Sequence, residues 1–371
     1  MLISLALFSA LFSVSTGIRA NNIPDPFESI NEKLLKYGFS LLRTHFTNKS
    51  AVVSPFATHY ALAHAYWNVK NDLNMKALHA DDNNYKYMFD FYNYTFGEMV
   101  NGKYFDVISK VYCNRNTKCT SELTEMFETP TENIDFEDSN AVQESINEFI
   151  EKSSSGTIQT LFLKDNVNSL AQVDIISLLN AHLQFPETFF EPEHTREGIF
   201  HGAKGDRKVT MMKGTAINWY AEDHYRELFQ FGTFHLIWKR GREFPITRFV
   251  IIIPKEGVHI MHLLDHFINV FKMPKLTLKS YFSFTPLPES FKEAGVLGRS
   301  LHELSEHVLG PIVQNAAIKL EEKGTIFSTF SRTWRDVFFG NIGRLVSVDA
   351  NRPFLFGVFQ DRTPLLLGQY L

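Results

Sequence analysis

The chain has 371 residues, 44% hydrophobic and 21% charged, with a formal net charge of −4. That composition supports a large folded core and excludes wholesale disorder. A pI near 6.4 gives no global attraction for nucleic acid, and 35 phenylalanines against 20 glycines and 14 prolines exclude collagen-like or low-complexity material.

Met1 to Phe12 is an uncharged apolar run, followed by the small residues Ser13 to Gly17. It is too short to span a bilayer. It reads as a secretory leader over residues 1–20, cut between Gly17 and Ala20, although the usual charged n-region is missing. No later segment reaches the length of a membrane span, so a soluble, secreted chain with no membrane partner is expected. The two sequons, Asn48-Lys-Ser50 and Asn93-Tyr-Thr95, fit an extracellular glycoprotein.

Residues 23–26 read as a linker. Phe27, Ile30, Leu34, Tyr37 and Leu41 then recur at helical spacing. Ser54-Pro55 caps a second helix running through Ala61 to Trp67. Residues 70–85, rich in Asn and Asp, read as a loop. Cys113 and Cys119 are the only cysteines. They can close a small loop in an oxidising compartment, or stand as two free thiols. Val142, Ile146, Phe149 and Ile150 form another helical stripe, stopped near Gly156.

Strands dominate the second half. Arg248 to Pro254 is a short apolar run suited to a strand buried on both faces, Ile312 to Leu320 alternates, and Pro353 to Phe359 is followed by Leu365 to Tyr370. With no repeat and no interior Gly/Ser/Pro linker, the expected architecture is a single mixed α+β domain.

Catalytic signatures are missing. There is no Gly-x-Ser-x-Gly, Walker loop, Gly-x-Gly-x-x-Gly, Cys-x-x-Cys or His-Glu-x-x-His. His259, His262 and His266 share a helical face, with Asp265 nearby. The outer two sit about 10 Å apart along a helix, too far to share one ion, so no metal and no cofactor is expected. Lys239, Arg240, Arg242 and Arg248 surround a Gly241 turn. They read as a charged hairpin end rather than a sulfated-polysaccharide site. His302, Glu303, Glu306 and His307 read as surface charge, and no enzyme is expected.

Several fragments, in order from about residue 27 to the end, resemble the serpin family. They are Val53-Ser-Pro-Phe56, Ile146-Asn-x-Phe-Ile150 with Gly156-x-Ile158, Leu179-Asn-Ala181, Phe190 with Thr195, Phe200 to Met212, Ala316 to Thr325, Pro353-Phe-Leu-Phe356 and Leu367-Gly-Gln-Tyr370. The stretch from Phe200 to Met212 looks like one strand carrying paired methionines. The resemblance implies a fold of three β-sheets with eight or nine helices and an exposed reactive-centre loop at about 324–350. It also implies a monomeric suicide inhibitor of an extracellular serine protease. The cleaved loop of such an inhibitor inserts as a new strand into a metastable sheet.

On that pattern the hinge is Glu322, Lys323, Gly324, Thr325, Ile326 and Phe327. Counting fourteen residues on from Gly324 reaches Phe338-Phe339 as the scissile bond, which suits a chymotrypsin-like enzyme, with Arg335 and Arg344 as trypsin-like rivals. The sheet-opening region would contain Ser54, Asn180 and Gln314. Departures cluster there. Ala57 replaces a serine, Gln314 replaces a histidine, and the tryptophan expected after Asn180 is absent. Ile326 and Phe327 stand where the family keeps small residues, and overpacking of this kind costs about 1–3 kcal/mol. That composition raises the alternative of a non-inhibitory member acting as a ligand carrier or binding protein.

Overall fold

The computed structural model describes residues 25–45, 49–69, 85–98, 105–115, 122–153, 164, 167, 169, 173–181, 193, 195–213, 219–222, 229–237, 247–264, 272–274, 276–284, 312–320 and 350–371. Helix α1, Asp25–His45, buries Phe27, Ile30, Leu34, Tyr37 and Leu41, the stripe that the spacing predicts. It begins inside the expected linker, because Pro26 is tolerated in a first helical turn, where its missing N–H has no partner to lose. Strand β1, Ala51–Val53, is fully buried and leads into helix α2, Pro55–Val69. Helix α2 is apolar around most of its circumference because it lies between layers, against α1, β4 (Val173–Ala181) and β14 (Thr363–Tyr370).

Helix α3, Tyr85–Glu98, starts at the last residue of the expected loop; residues 70–84 lie outside the described residues. It buries Met88, Phe91, Tyr92 and Thr95 and exposes Tyr87, Asp90, Asn93 and Gly97. Its rings pack with those of α2. Phe56, Tyr60, Phe91, Tyr92, Phe96 and Phe127 form a chain of edge-on, tilted and stacked contacts, with centroids 5.0–6.4 Å apart. Such pairs add to the burial of each ring.

Strand β2, Phe105–Asn114, pairs in parallel with β3, Thr131–Ile134, and antiparallel with β4. Between β2 and β3 runs the short helix α4, Glu122–Met126. Helix α5, Ser139–Ser153, lies over this three-stranded sheet. Asp138 caps it, its carboxylate accepting the N–H groups of Asn140 and Ala141. Of the predicted stripe, Val142, Ile146 and Ile150 are buried against Tyr112, Ile176 and Leu178, while Phe149 is partly buried beside them; each buried aliphatic side chain contributes about 1.5–3 kcal/mol.

Beyond β4 the chain forms β5, Arg196–Gly202, and β6, Gly205–Lys213. This corrects the expectation of one strand from Phe200 to Met212. Gly205 takes φ +109°, a conformation open to glycine, and turns the chain back so that Gly202 pairs with Gly205. Strands β7 (Trp219–Glu222), β8 (Phe229–Ile237) and β9 (Thr247–Pro254) follow. They join β13 (Phe354–Gln360), β14 and β1 in a six-stranded sheet ordered β1-β14-β13-β9-β8-β7. Strand β9 is inside it, and Phe249 to Pro254 are buried as predicted. Gly368 of β14 admits no side chain, since a Cβ there would meet the Phe356 ring and lie 2.8 Å from the Ala51 carbonyl oxygen.

Helix α6 is a single turn, Ile260–Leu263, and His259 is its N-cap, with Nδ1 accepting the Met261 N–H at 3.2 Å. This corrects the shared histidine face, because a capping residue has left the helical path; Asp265 and His266 lie outside the described residues. Strand β10, Lys272–Pro274, extends the β6-β5 hairpin. Strands β11, Leu276–Phe284, and β12, Ile312–Leu320, form a two-stranded ladder.

Candidate functional site

Ser54 joins two distant parts of the chain. Its hydroxyl accepts the Ala57 N–H at 3.1 Å, capping α2, and donates to the Leu365 carbonyl of β14 at 2.7 Å. The Ser54 carbonyl accepts both the Thr58 N–H and the Thr58 hydroxyl. Ala57, where the resemblance expects a second serine, is buried and contributes to this cap through its backbone alone. The helix so anchored on β14 packs its other side on β4.

Strand β4 is an outer strand of the β3-β2-β4 sheet, and β12 is an outer strand of its own ladder. The two outer strands lie side by side. Asn180 sits on β4 opposite Asp106 of β2, and Gln314 on β12 opposite Phe282 of β11. Two of the three expected sheet-opening residues thus lie on the neighbouring outer strands. Ser54 heads the helix beneath.

Inside the β2–β4 ladder, Ser109 and Ser177 face each other with their hydroxyls 2.8 Å apart. On the α5 face, Lys110 Nζ lies 2.6 Å from Glu132 Oε2 and above the rings of Tyr112 and Phe149. Ser145 of α5 donates to the other Glu132 oxygen, and the Tyr112 hydroxyl donates to the Ser145 carbonyl. The Lys110 hydrogen bond holds the Glu132 carboxyl below its ordinary range. Within α2, His64 is fully buried, with Nε2 3.3 Å from the Thr129 hydroxyl. Burial pulls its imidazole down to about 3.

These polar contacts escape sequence reading. Whether Ser109 meets Ser177 depends on strand register over 68 residues; only the alternation of residues around each serine hints that they point to one face.

The hinge residues Glu322, Lys323, Gly324, Thr325, Ile326 and Phe327 lie outside the described residues. So do Phe338, Phe339, Arg335, Arg344, Asn48 and Cys119. Strand β12 ends at Leu320, two residues before that hinge. Asn93 is exposed on α3, while Thr95 of the same sequon is buried and bonded to the Phe91 carbonyl. Cys113 is fully buried and disulfide-bonded. Arg248 departs from the expected basic cluster. It is half-buried in β9, and its guanidinium donates to the carbonyl oxygen of Asp361 at the β13–β14 turn; Lys239, Arg240 and Arg242 lie outside the described residues.

The serpin (serine protease inhibitor) family model matches residues 32–371. A search of curated protein sequences finds no match. Among solved structures, the fold is similar to that of native protease nexin-1 with heparin, at 16% identity over 93% of this chain and 99% of that one, TM-score 0.72. It is similar to Serpin48, a highly specific serpin of the insect Tenebrio molitor, at 19% identity over 95% and 99%, TM-score 0.72. Human glycosylated kallistatin matches at 15% identity over 93% and 98%, TM-score 0.70. With a family model spanning nearly the whole chain and the same α+β fold in its structural neighbours, this protein belongs to the serpin family.

Proposed function

We propose that the chain is a secreted, monomeric, suicide-type inhibitor of an extracellular serine protease, chymotrypsin-like by preference. Family and fold support a protease-inhibitor role in general, and serpins are generally inhibitors rather than enzymes. The observation that carries the finer reading is the pair of outer strands. Strand β12 runs towards the hinge and lies beside β4, each at the border of its own ladder, and a strand entering between them would gain hydrogen bonds on both sides.

In this reading the protease serine Oγ attacks the carbonyl carbon of Phe338. The bond to the Phe339 nitrogen breaks, Phe339 leaves as an amine carrying the proton, and Phe338 remains as an ester on the enzyme. The arm from Gly324 then enters the sheet and carries the protease with it before water can cleave the ester. The apolar leader and the bonded state of Cys113 favour an oxidising, extracellular compartment, with Cys119 as its partner and glycans on Asn48 and Asn93.

The test is a denaturing gel of the purified protein mixed with chymotrypsin and, separately, trypsin. A detergent-stable band at the summed mass supports trapping, and the released C-terminal fragment identifies the cut. Clean loop cleavage with fully active protease overturns inhibition. That outcome leaves the carrier or binding-protein reading, which the bulky Ile326 and Phe327 favour.

A further inference from the structure

Asp174 is the second residue of β4 and is 6% exposed. It stands opposite Tyr112 in the β2–β4 register, and alternation along β4 puts it on the same face as Ile176 and Leu178, the face that α5 covers. Its carboxylate accepts the Ile175 N–H at 2.9 Å, and among the described residues it forms no ion pair. Tyr112 of β2 pairs with it, and the Tyr112 hydroxyl feels the charges of Asp174, of Glu132 from β3 and of Glu148 from α5. Lys110 of β2 is held by Glu132. A carboxylate buried on this face without an ion pair is costly to ionise.

We propose that Asp174 is a proton-controlled switch in the seam between α5 and the β3-β2-β4 sheet, closed when the carboxyl is neutral and opened when it ionises. Burial pushes the Asp174 carboxyl up to about 7, whereas with α5 lifted it would meet water and return to the ordinary carboxylate range. The sign follows. The closed seam binds the proton more tightly, so its stability is greatest in acid and is lost as pH rises through about 7. Opening α5 uncovers the face of β4, the strand whose other edge lies beside β12, so the switch bears on how readily that part of the sheet deforms. The claim requires no protease, and it stands or falls separately from the inhibitory reading.

The experiment is amide hydrogen exchange of the intact protein at pH 6 and pH 8.5, corrected for intrinsic rates. In the wild type, amides of α5 and β4 should open about tenfold more at the higher pH, while those of β13 and β14 stay unchanged. Asp174→Asn, which cannot ionise, should abolish the difference, and Glu132→Gln should retain it. An unchanged α5 in the wild type, an equal change in β13 and β14, or the same difference in Asp174→Asn would each overturn the switch. Should Asp174→Asn fail to fold, the wild-type comparison decides alone.

Discussion

The Ser54 hydroxyl donates to the carbonyl oxygen of Leu365, 2.7 Å away and 311 residues on. One side chain therefore caps α2 and fastens it to β14, and the loss of Ser54 removes both contacts at once. Ser54→Ala is expected to lower stability by about 1–2 kcal/mol, the range of a lost N-cap, with a further penalty for a buried carbonyl left without its donor. Ser54→Thr should recover much of the loss. Thermal unfolding of the three proteins followed by circular dichroism checks the order.

Cys113 is disulfide-bonded, and Cys119 is the chain's other cysteine. A loop this short contributes about 2 kcal/mol in the chain-entropy account. Peptide mapping without reductant is expected to recover a linked pair containing both residues. Reduction should lower the unfolding midpoint without removing the fold, because the α5 core over Tyr112 and Ile176 does not depend on the crosslink. A map that recovers Cys119 as a free thiol would contradict the pairing.

His64 makes stability fall in acid. Its imidazole is pulled from 6.5 to about 3 by burial, so below about pH 6.5 the unfolded chain takes up a proton that the folded one refuses. The contribution is whole above pH 6.5 and is lost as pH falls towards 3, at roughly 1.4 kcal/mol per pH unit. Replacing His64 by Gln should flatten the decline of denaturant stability between pH 6 and 4. It should also lower stability at pH 7.5, where the Thr129 contact and the edge-on contact with Tyr60 are both disturbed.

Much of the fold is legible where side-chain period and strand length agree. Phe27 to Leu41 and Val142 to Ile150 follow the helical period and are buried accordingly, and the run from Phe249 to Pro254 is short enough to read as a strand. Helix α3 escapes because Tyr85, Tyr87, Phe89, Phe91, Tyr92 and Tyr94 carry strand preference, and its burial is decided by rings on α2. The β5–β6 turn escapes because Ala203-Lys204 carries no strong turn residue and the φ of Gly205 is a property of the folded chain. Of the functional region, Ser54 is readable from the Ser-Pro pair at a helix start. The proximity of β4 to β12 is a tertiary fact between segments about 130 residues apart, and no local pattern encodes it.

The hinge offers the sharpest test of mechanism. In a strand starting at Thr325, Phe327 and Thr329 share the face of Thr325, so an arm inserting with that face inward must place a phenyl ring where a methyl would fit. Overpacking on that scale costs about 1–3 kcal/mol, equivalent to roughly 5- to 150-fold in the rate of insertion if the strain is felt in the transition state. Phe327→Ala is therefore expected to raise the fraction of protease trapped per loop cleaved and to lower the fraction that escapes by deacylation. Phe338→Arg should move the trapping from chymotrypsin to trypsin without changing that partition. The measurement is the ratio of complex to cleaved protein on denaturing gels at increasing inhibitor excess. An unchanged ratio in Phe327→Ala would mean that the ring does not limit insertion; chymotrypsin trapping retained in Phe338→Arg would move the scissile bond off Phe338, and trypsin trapping by the unaltered chain would move it to Arg335 or Arg344.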